Sequence, residues 1–287
     1  MCIHCDSLCS CASLTYDSFL GIVDRIKKND ETLTCFRSVE THFGWEAAKI
    51  IAEAMRGNIY VTYLRLGNNI GDVGAEAFAR MLEHNTTLKV LDLSGNSSIT
   101  ARGVTFLANA LKKNTALTTL NLSMTNVKHK ACSALSSMLA VNKTLTTLDV
   151  SSNNIGDRGL KSLLEFIQNR NRGLTTLSIA NNRITSAGAN ILAETVRENK
   201  TLTSIDIGYN NFEVLRHITL MNALESNYSL TTFKTNIVSS KISNILFNNK
   251  YRKLYITLML LFSEYDYIVP SLVVKRIVAD VLLMPNF

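Results

Sequence analysis

Apolar positions in this chain follow a recurring frame. A leucine-type residue opens it, similar residues stand at the fourth and sixth places, and an asparagine stands at the ninth. The frame opens at Leu33 (a degenerate copy), Val61, Leu88, Leu117, Leu145, Leu174, Leu202 and Leu230, with spacings of 28, 27, 29, 28, 29, 28 and 28 residues. Its clearest copies are Leu145-Thr-Thr-Leu148-Asp-Val150-Ser-Ser-Asn153-Asn-Ile155 and Leu174-Thr-Thr-Leu177-Ser-Ile179-Ala-Asn-Asn182-Arg-Ile184. A unit that short cannot close a core alone, so self-similarity at this period predicts a solenoid of stacked units.

The alternation across the first six places predicts a short strand, its fourth and sixth side chains inward and its third and fifth outward. At the ninth place Asn96, Asn153, Asn182 and Asn210 are expected to turn inward, satisfy backbone groups at the bend and stack as a ladder. Thr125 replaces that asparagine in one unit, and the Val61 unit is one residue short before Ile70. Distorted turns are expected at both. The second half of each unit has helical spacing: in Gly188–Asn199, Ala189, Leu192, Ala193 and Val196 fall on one face. The same pattern predicts helices over Ala47–Asn58, Gly74–Asn85, Gly103–Asn114, Ala131–Asn142 and Leu160–Asn171, each closing on a residue suited to the left-handed conformation. Cys132 takes an alanine position and reads as a packing residue.

An open solenoid would expose its core, so both ends need covers. Asp17–Lys28 reads as an amphipathic helix for the first edge, with Trp45 also set to cover it. The apolar stretches Lys241–Phe262 and Leu272–Met284 serve the other edge, with a docking face as the second reading there. The division that follows is a tail over 1–12, an N-terminal helical cap over 13–32, about eight repeats over 33–240 and a helical C-terminal cap over 241–287.

The frame with a full helix in every unit resembles the leucine-rich repeats of the ribonuclease-inhibitor-like class, over about residues 33–240. The resemblance implies an α/β horseshoe with parallel strands on the concave face, helices on the convex face and helical caps at both ends. Related scaffolds occur in NOD-like receptors and Ran GTPase-activating proteins. The uniform Thr-, Ser- and Asn-rich units are also similar in style to effectors that intracellular bacterial pathogens deliver into host cells. Such scaffolds imply protein binding rather than catalysis, although one fold serves many partners. GTPase activation and enzyme inhibition are the alternatives the resemblance offers; the functional arginine loop and acidic tail of the GTPase activators have no counterpart here.

Charge adds little specificity. The chain carries a formal +7, without a dense Lys/Arg run or an aromatic ladder among basic residues, which argues against nucleic acid. The longest apolar runs are about half a membrane span, and no secretory leader pattern opens the chain. A cytoplasmic setting is expected, or the host cytosol for an effector. Cys2, Cys5, Cys9 and Cys11 cluster around His4. Thiolates at that density suit a soft metal or S-acylation, but the short gap between the pairs leaves little to fold around an ion. A thiol-rich tail is the main reading, and no cofactor or metal is expected.

The histidines are scattered and no phosphate-binding glycine loop appears, so no catalytic residue is assigned. The candidate site is the concave face. Its third places hold Cys35, Tyr63, Val90, Thr119, Thr147, Thr176, Ser204 and Thr232; its fifth hold Arg37, Arg65, Asp92, Asn121, Asp149, Ser178, Asp206 and Lys234. Asp92, Asp149 and Asp206 form a negative stripe suited to a basic partner segment, against the alternative of ordinary solvated aspartates. Tyr63, Arg65 and Tyr209, with Met124 and Ile237 nearby, are the anchors on offer, and a loop bearing Tyr265 and Tyr267 is the second candidate surface.

Overall fold

The computed structural model describes residues 16–38, 44–67, 69–167, 173–212, 217–236, 242–246 and 249–250. Each frame contributes one strand: β1 (Cys35–Ser38), β2 (Tyr63–Leu66), β3 (Val90–Asp92), β4 (Thr119–Asn121), β5 (Thr147–Asp149), β6 (Thr176–Ser178), β7 (Ser204–Asp206) and β8 (Thr232–Lys234). The strands pair in chain order as one parallel sheet. Third place lies against third and fifth against fifth throughout, from Cys35 opposite Tyr63 to Asp206 opposite Lys234. The buried fourth residues fix that register, because a slip of one residue would turn each of them out of the core.

One helix, α1 (Tyr16–Lys27), precedes β1, and a helix follows each strand from β1 to β7: α2 (Gly44–Met55), α3 (Gly71–Leu82), α4 (Ala101–Leu111), α5 (His129–Leu139), α6 (Gly156–Leu164), α7 (Ser186–Glu198) and α8 (His217–Ser226). The chain is thus an α/β leucine-rich repeat solenoid. The helix α8 is an addition to the expected set, and Leu220, Ala223 and Leu224 are its buried residues. The expected helices α2 to α7 start two to four residues earlier than the apolar spacing suggested. Their entries are shaped by polar caps and turns: the Thr100 and Thr185 hydroxyls accept the Arg102 and Ala187 amides, while Gly44, Gly71 and Gly156 enter with positive φ.

The helix exits require a correction. Asn58, Asn85, Asn114, Asn142, Asn199 and Asn227 are not left-handed. Asn199 is extended, with φ −72° and ψ 131°; Asn171 lies outside the described residues, and among those described Asn29 after α1 is left-handed, with φ 54°. The reason lies in their side chains. The Asn142 amide donates to the carbonyls of Leu111 and Asn114, while its oxygen accepts the amides of Thr144 and Leu145. Asn85, Asn114 and Asn227 repeat that pattern. The carbonyls that every helix leaves unpaired at its end are thus satisfied from the next unit.

The core is one continuous column between sheet and helices. Leucine and isoleucine fill the fourth place from β2 to β7, and the larger Phe36 and Phe233 stand there in the first and last strands. Beyond the first strand, Phe19, Val23 and Ile26 of α1 are buried. Trp45 does not cover that edge. It is 44% exposed because Ala47, Ala48 and Ile51 take the inward face of α2, and the Lys49 ammonium lies 5.1 Å over its ring. Cys132 is buried in the column, and desolvation pushes its thiol up to about 12. The Cys2–Cys11 cluster, Ile237, Tyr265 and Tyr267 and the Leu272–Met284 helix lie outside the described residues.

Candidate interaction surface

The face of the sheet turned away from the helices is built from third and fifth places. The strand pairing brings Arg65, Asp92, Asn121, Asp149, Ser178, Asp206 and Lys234 into one row, one residue per strand. The parallel row of third places begins with Cys35 and Tyr63 and continues with Val90 and then hydroxyls from Thr119 to Thr232. Most of these side chains are half-buried; Asp92 is buried and Lys234 exposed.

One strand place earlier lies a row that the frame alone did not reveal. The hydroxyls of Thr146, Thr175, Thr203 and Thr231 each donate to the backbone carbonyl of the same place in the preceding unit, at 3.1 to 3.2 Å. The signal was in the sequence, since threonine recurs at the second place. These bonds tie the strand entries together and hold the face to a fixed spacing of about 4.8 Å per strand.

The three aspartates share a local task. One oxygen of each accepts a backbone amide two residues on, from Ser94, Ser151 and Gly208 at 2.9, 2.8 and 3.0 Å. Asn121 does the same for Ser123. This is an Asx-type turn, so a polar fifth residue first serves to end its strand. Asp92 goes further: its second oxygen lies 3.5 Å from Nε of Arg65, and its side chain is 10% exposed. Asp149 and Asp206 have no such ion pair among the described residues. At the first strand the Arg37 guanidinium stands 5.7 Å over the Tyr63 ring.

Tyr209 belongs to the rim rather than to the sheet face. It stands at the eighth place, where Gly95, Met124, Ser152 and Asn181 also have positive φ. Met124 and Tyr209 are the large residues of that set, 62% and 75% exposed.

Elsewhere the described residues offer little chemistry. They contain no group of three or more His, Cys, Asp or Glu that could hold a metal, and no helix long and apolar enough to cross a membrane. A groove of about 440 Å³ opens between α2 and α3. Within it Arg80 meets Glu76 at 2.6 Å, and Arg56 donates to Nε2 of His84 at 3.0 Å.

The family model described as "Leucine Rich repeat" matches residues 57–79, 84–108, 141–164 and 170–192. No curated protein matches the chain. Among solved structures it is similar to leiomodin-1 actin-binding site 2, at 16% identity over 65% of this chain and 95% of that one, with a TM-score of 0.42. A second likeness is to the tropomodulin C-terminal domain of Caenorhabditis elegans, at 14% identity over 84% of this chain and 98% of that one, with a TM-score of 0.37. Neither likeness carries an argument about partner or activity.

Proposed function

We propose that this chain is a non-catalytic protein-interaction scaffold that receives a segment of a partner protein across the open face of its sheet. The residues assigned to the contact are Tyr63, Arg65, Asp92, Asn121, Asp149, Ser178, Asp206 and Lys234, with Tyr209 on the rim. The observation that carries this reading is the in-register array itself. Repeated strands hold polar side chains in fixed rows, a geometry suited to reading a partner's charges. The division into tail, caps and repeats at residues 12, 32 and 240 is part of the proposal. So is placement in the ribonuclease-inhibitor-like class, which the period and the helix in each unit support. A role as a bacterial effector in host cytosol is its finest element and rests on repeat style alone.

The test is affinity capture from a eukaryotic lysate with the native chain and an Asp149→Lys/Asp206→Lys variant, each checked for its fold. A protein retained by the native chain and lost from the variant supports the assigned face. Equal retention moves the contact off the face, and no retention by either removes the host-cell element.

A further inference from the structure

Six asparagines of this chain stand in the tripeptide Asn-x-Ser/Thr that N-glycosylating enzymes read: Asn85, Asn96, Asn121, Asn142, Asn199 and Asn227. In a secreted protein such a tripeptide marks a surface loop. Here five of the six are buried, from Asn96 at 0% exposed to Asn142 at 4%. Their amide hydrogens are also in use. Nδ2 of Asn85, Asn96, Asn142 and Asn227 each donates to two backbone carbonyls, at 2.6 to 3.1 Å. Nδ2 of Asn199 donates to the Ile167 carbonyl at 2.8 Å.

The signals arise from the ladder's own chemistry. Two residues after each of these helix-exit asparagines, a backbone amide donates to Oδ1, and at Thr144, Thr201 and Ser229 the hydroxyl of that residue reaches the same oxygen. At Asn114 the place is taken by Ala116, whose amide makes the same bond without completing a signal. The ladder therefore needs the amide, and the hydroxyl that completes the tripeptide is dispensable to it.

N-glycosylation joins Nδ2 to the anomeric carbon of a sugar, with the carrier lipid's pyrophosphate leaving and an amide proton released. One ladder hydrogen is lost, and a bulky polar group stands where the neighbouring unit packs. The enzyme meets an extended chain as it enters the lumen, before a repeat has a neighbour to close on, so burial in the finished fold is no shield. The sixth signal, Asn121, lies on β4 in the fifth-place row. A glycan there would stand across the middle of that face.

We propose that this solenoid forms only where N-glycans are not attached. In a eukaryotic cell that confines it to the cytosolic side. Resting on the scaffold reading above, the partner it receives is then a protein exposed to the cytosol or nucleus, not one of the secretory lumen or the cell surface.

The whole chain, produced in cultured eukaryotic cells with and without a cleavable secretory leader fused to it, tests this. Without the leader it is expected to lose no mass to an endoglycosidase and to resist limited proteolysis. With the leader it should gain glycans at Asn85, Asn96, Asn142, Asn199 or Asn227. Its folded yield should then fall at least about tenfold, as the loss of buried hydrogen bonds gives. Two interventions should restore the luminal fold while leaving every ladder asparagine in place. One blocks synthesis of the lipid-linked glycan; the other is the combined Thr87→Ala/Ser98→Ala/Thr144→Ala/Thr201→Ala/Ser229→Ala variant, which follows the pattern of Ala116. If that variant fails to fold without the leader as well, the blocked-synthesis arm decides alone. A leader-directed chain that folds, with glycans at those asparagines or without them, overturns the proposal. So does failure of both interventions to restore the fold, because the lumen rather than the glycan would then be the cause. Either result leaves the scaffold reading to stand or fall by the capture experiment.

Discussion

The asparagines at the helix exits and those at the strand exits occupy comparable buried corners of the repeat, yet they vary to very different degrees. At the helix exits Asn58, Asn85, Asn114, Asn142, Asn199 and Asn227 all remain asparagine and all are buried. At the strand exits Asn96, Asn153, Asn182 and Asn210 keep the role, whereas Thr125 replaces it and the Val61 unit reaches Ile70 early. The difference follows from what the backbone can do unaided. A helix end leaves carbonyls that its own chain cannot reach, so a side chain from the next unit must serve them. A strand exit is also served from the next unit, since Asn153 donates to the Leu122 carbonyl and Asn182 accepts the Asn153 and Ile155 amides, but it is a turn and closes some bonds of its own. The Ile99 amide donates to the Asn96 carbonyl, and the Thr125 hydroxyl donates to the Leu122 carbonyl. Both sides of the solenoid are therefore clamped from unit to unit, and the strand side keeps bonds of its own where the asparagine is lost.

The comparison breaks most directly at its strong side. Asn142→Ala leaves the Leu111 carbonyl and the Thr144 and Leu145 amides unserved in a buried corner, and the Asn114 carbonyl with the Thr144 hydroxyl alone. The expected loss is about 3 kcal/mol, read as a shift of the denaturant midpoint at unchanged slope. Asn210→Ala, at a half-buried strand exit that water can enter, should cost only about 1 to 2 kcal/mol. Equal losses from the two variants would erase the distinction between clamp and turn.

Thr125→Asn sharpens the same contrast from the other direction. Thr125 keeps the bond to its own unit and reaches forward to Oδ1 of Asn153, but nothing from it reaches back to Leu93 as Asn153 reaches back to Leu122. Restoring the asparagine is expected to raise stability by about 1 kcal/mol. No gain would assign the break to the unit before it, where Leu88 to Ile99 is one residue longer than Leu145 to Ile155.

Much of this was legible in the sequence because it is periodic. The strands, their register and the inward ninth asparagines follow from a pattern in which every unit repeats the same test. The helix-exit ladder was equally periodic, and the asparagine three residues before the opening residue of every unit from Val61 onward was visible. It was misread because a helix-closing asparagine has two chemistries, a left-handed backbone or a side-chain clamp, and only the neighbouring unit's carbonyls decide between them. Trp45 failed differently: it stands outside the period, so no spacing fixed which way it faces. On the candidate face the row of charges could be listed in advance. That Asp92 belongs to Arg65 could not, because side chains on adjacent strands choose partners through geometry that no frame records.

The smallest expected effect concerns the variable side, where function has room to act. Met124 sits at φ 55° and is 62% exposed, in a conformation that costs an L-residue with an ordinary side chain about 1 kcal/mol and suits asparagine or glycine better. The equivalent places hold Gly95, Ser152 and Asn181, so a bulky residue is not required by the turn. Met124→Asn should therefore raise stability by about 0.5 kcal/mol, with the sheet's amide resonances unchanged. If Met124 anchors the partner from the rim, the same substitution should weaken retention of that partner, a trade between stability and binding expected of functional positions. A gain in stability with retention unchanged would leave Tyr209 as the rim's large exposed contact. A loss of stability would mean that the methionine packs against its neighbours, and the strand exits would then be less free than their sequence variation implies.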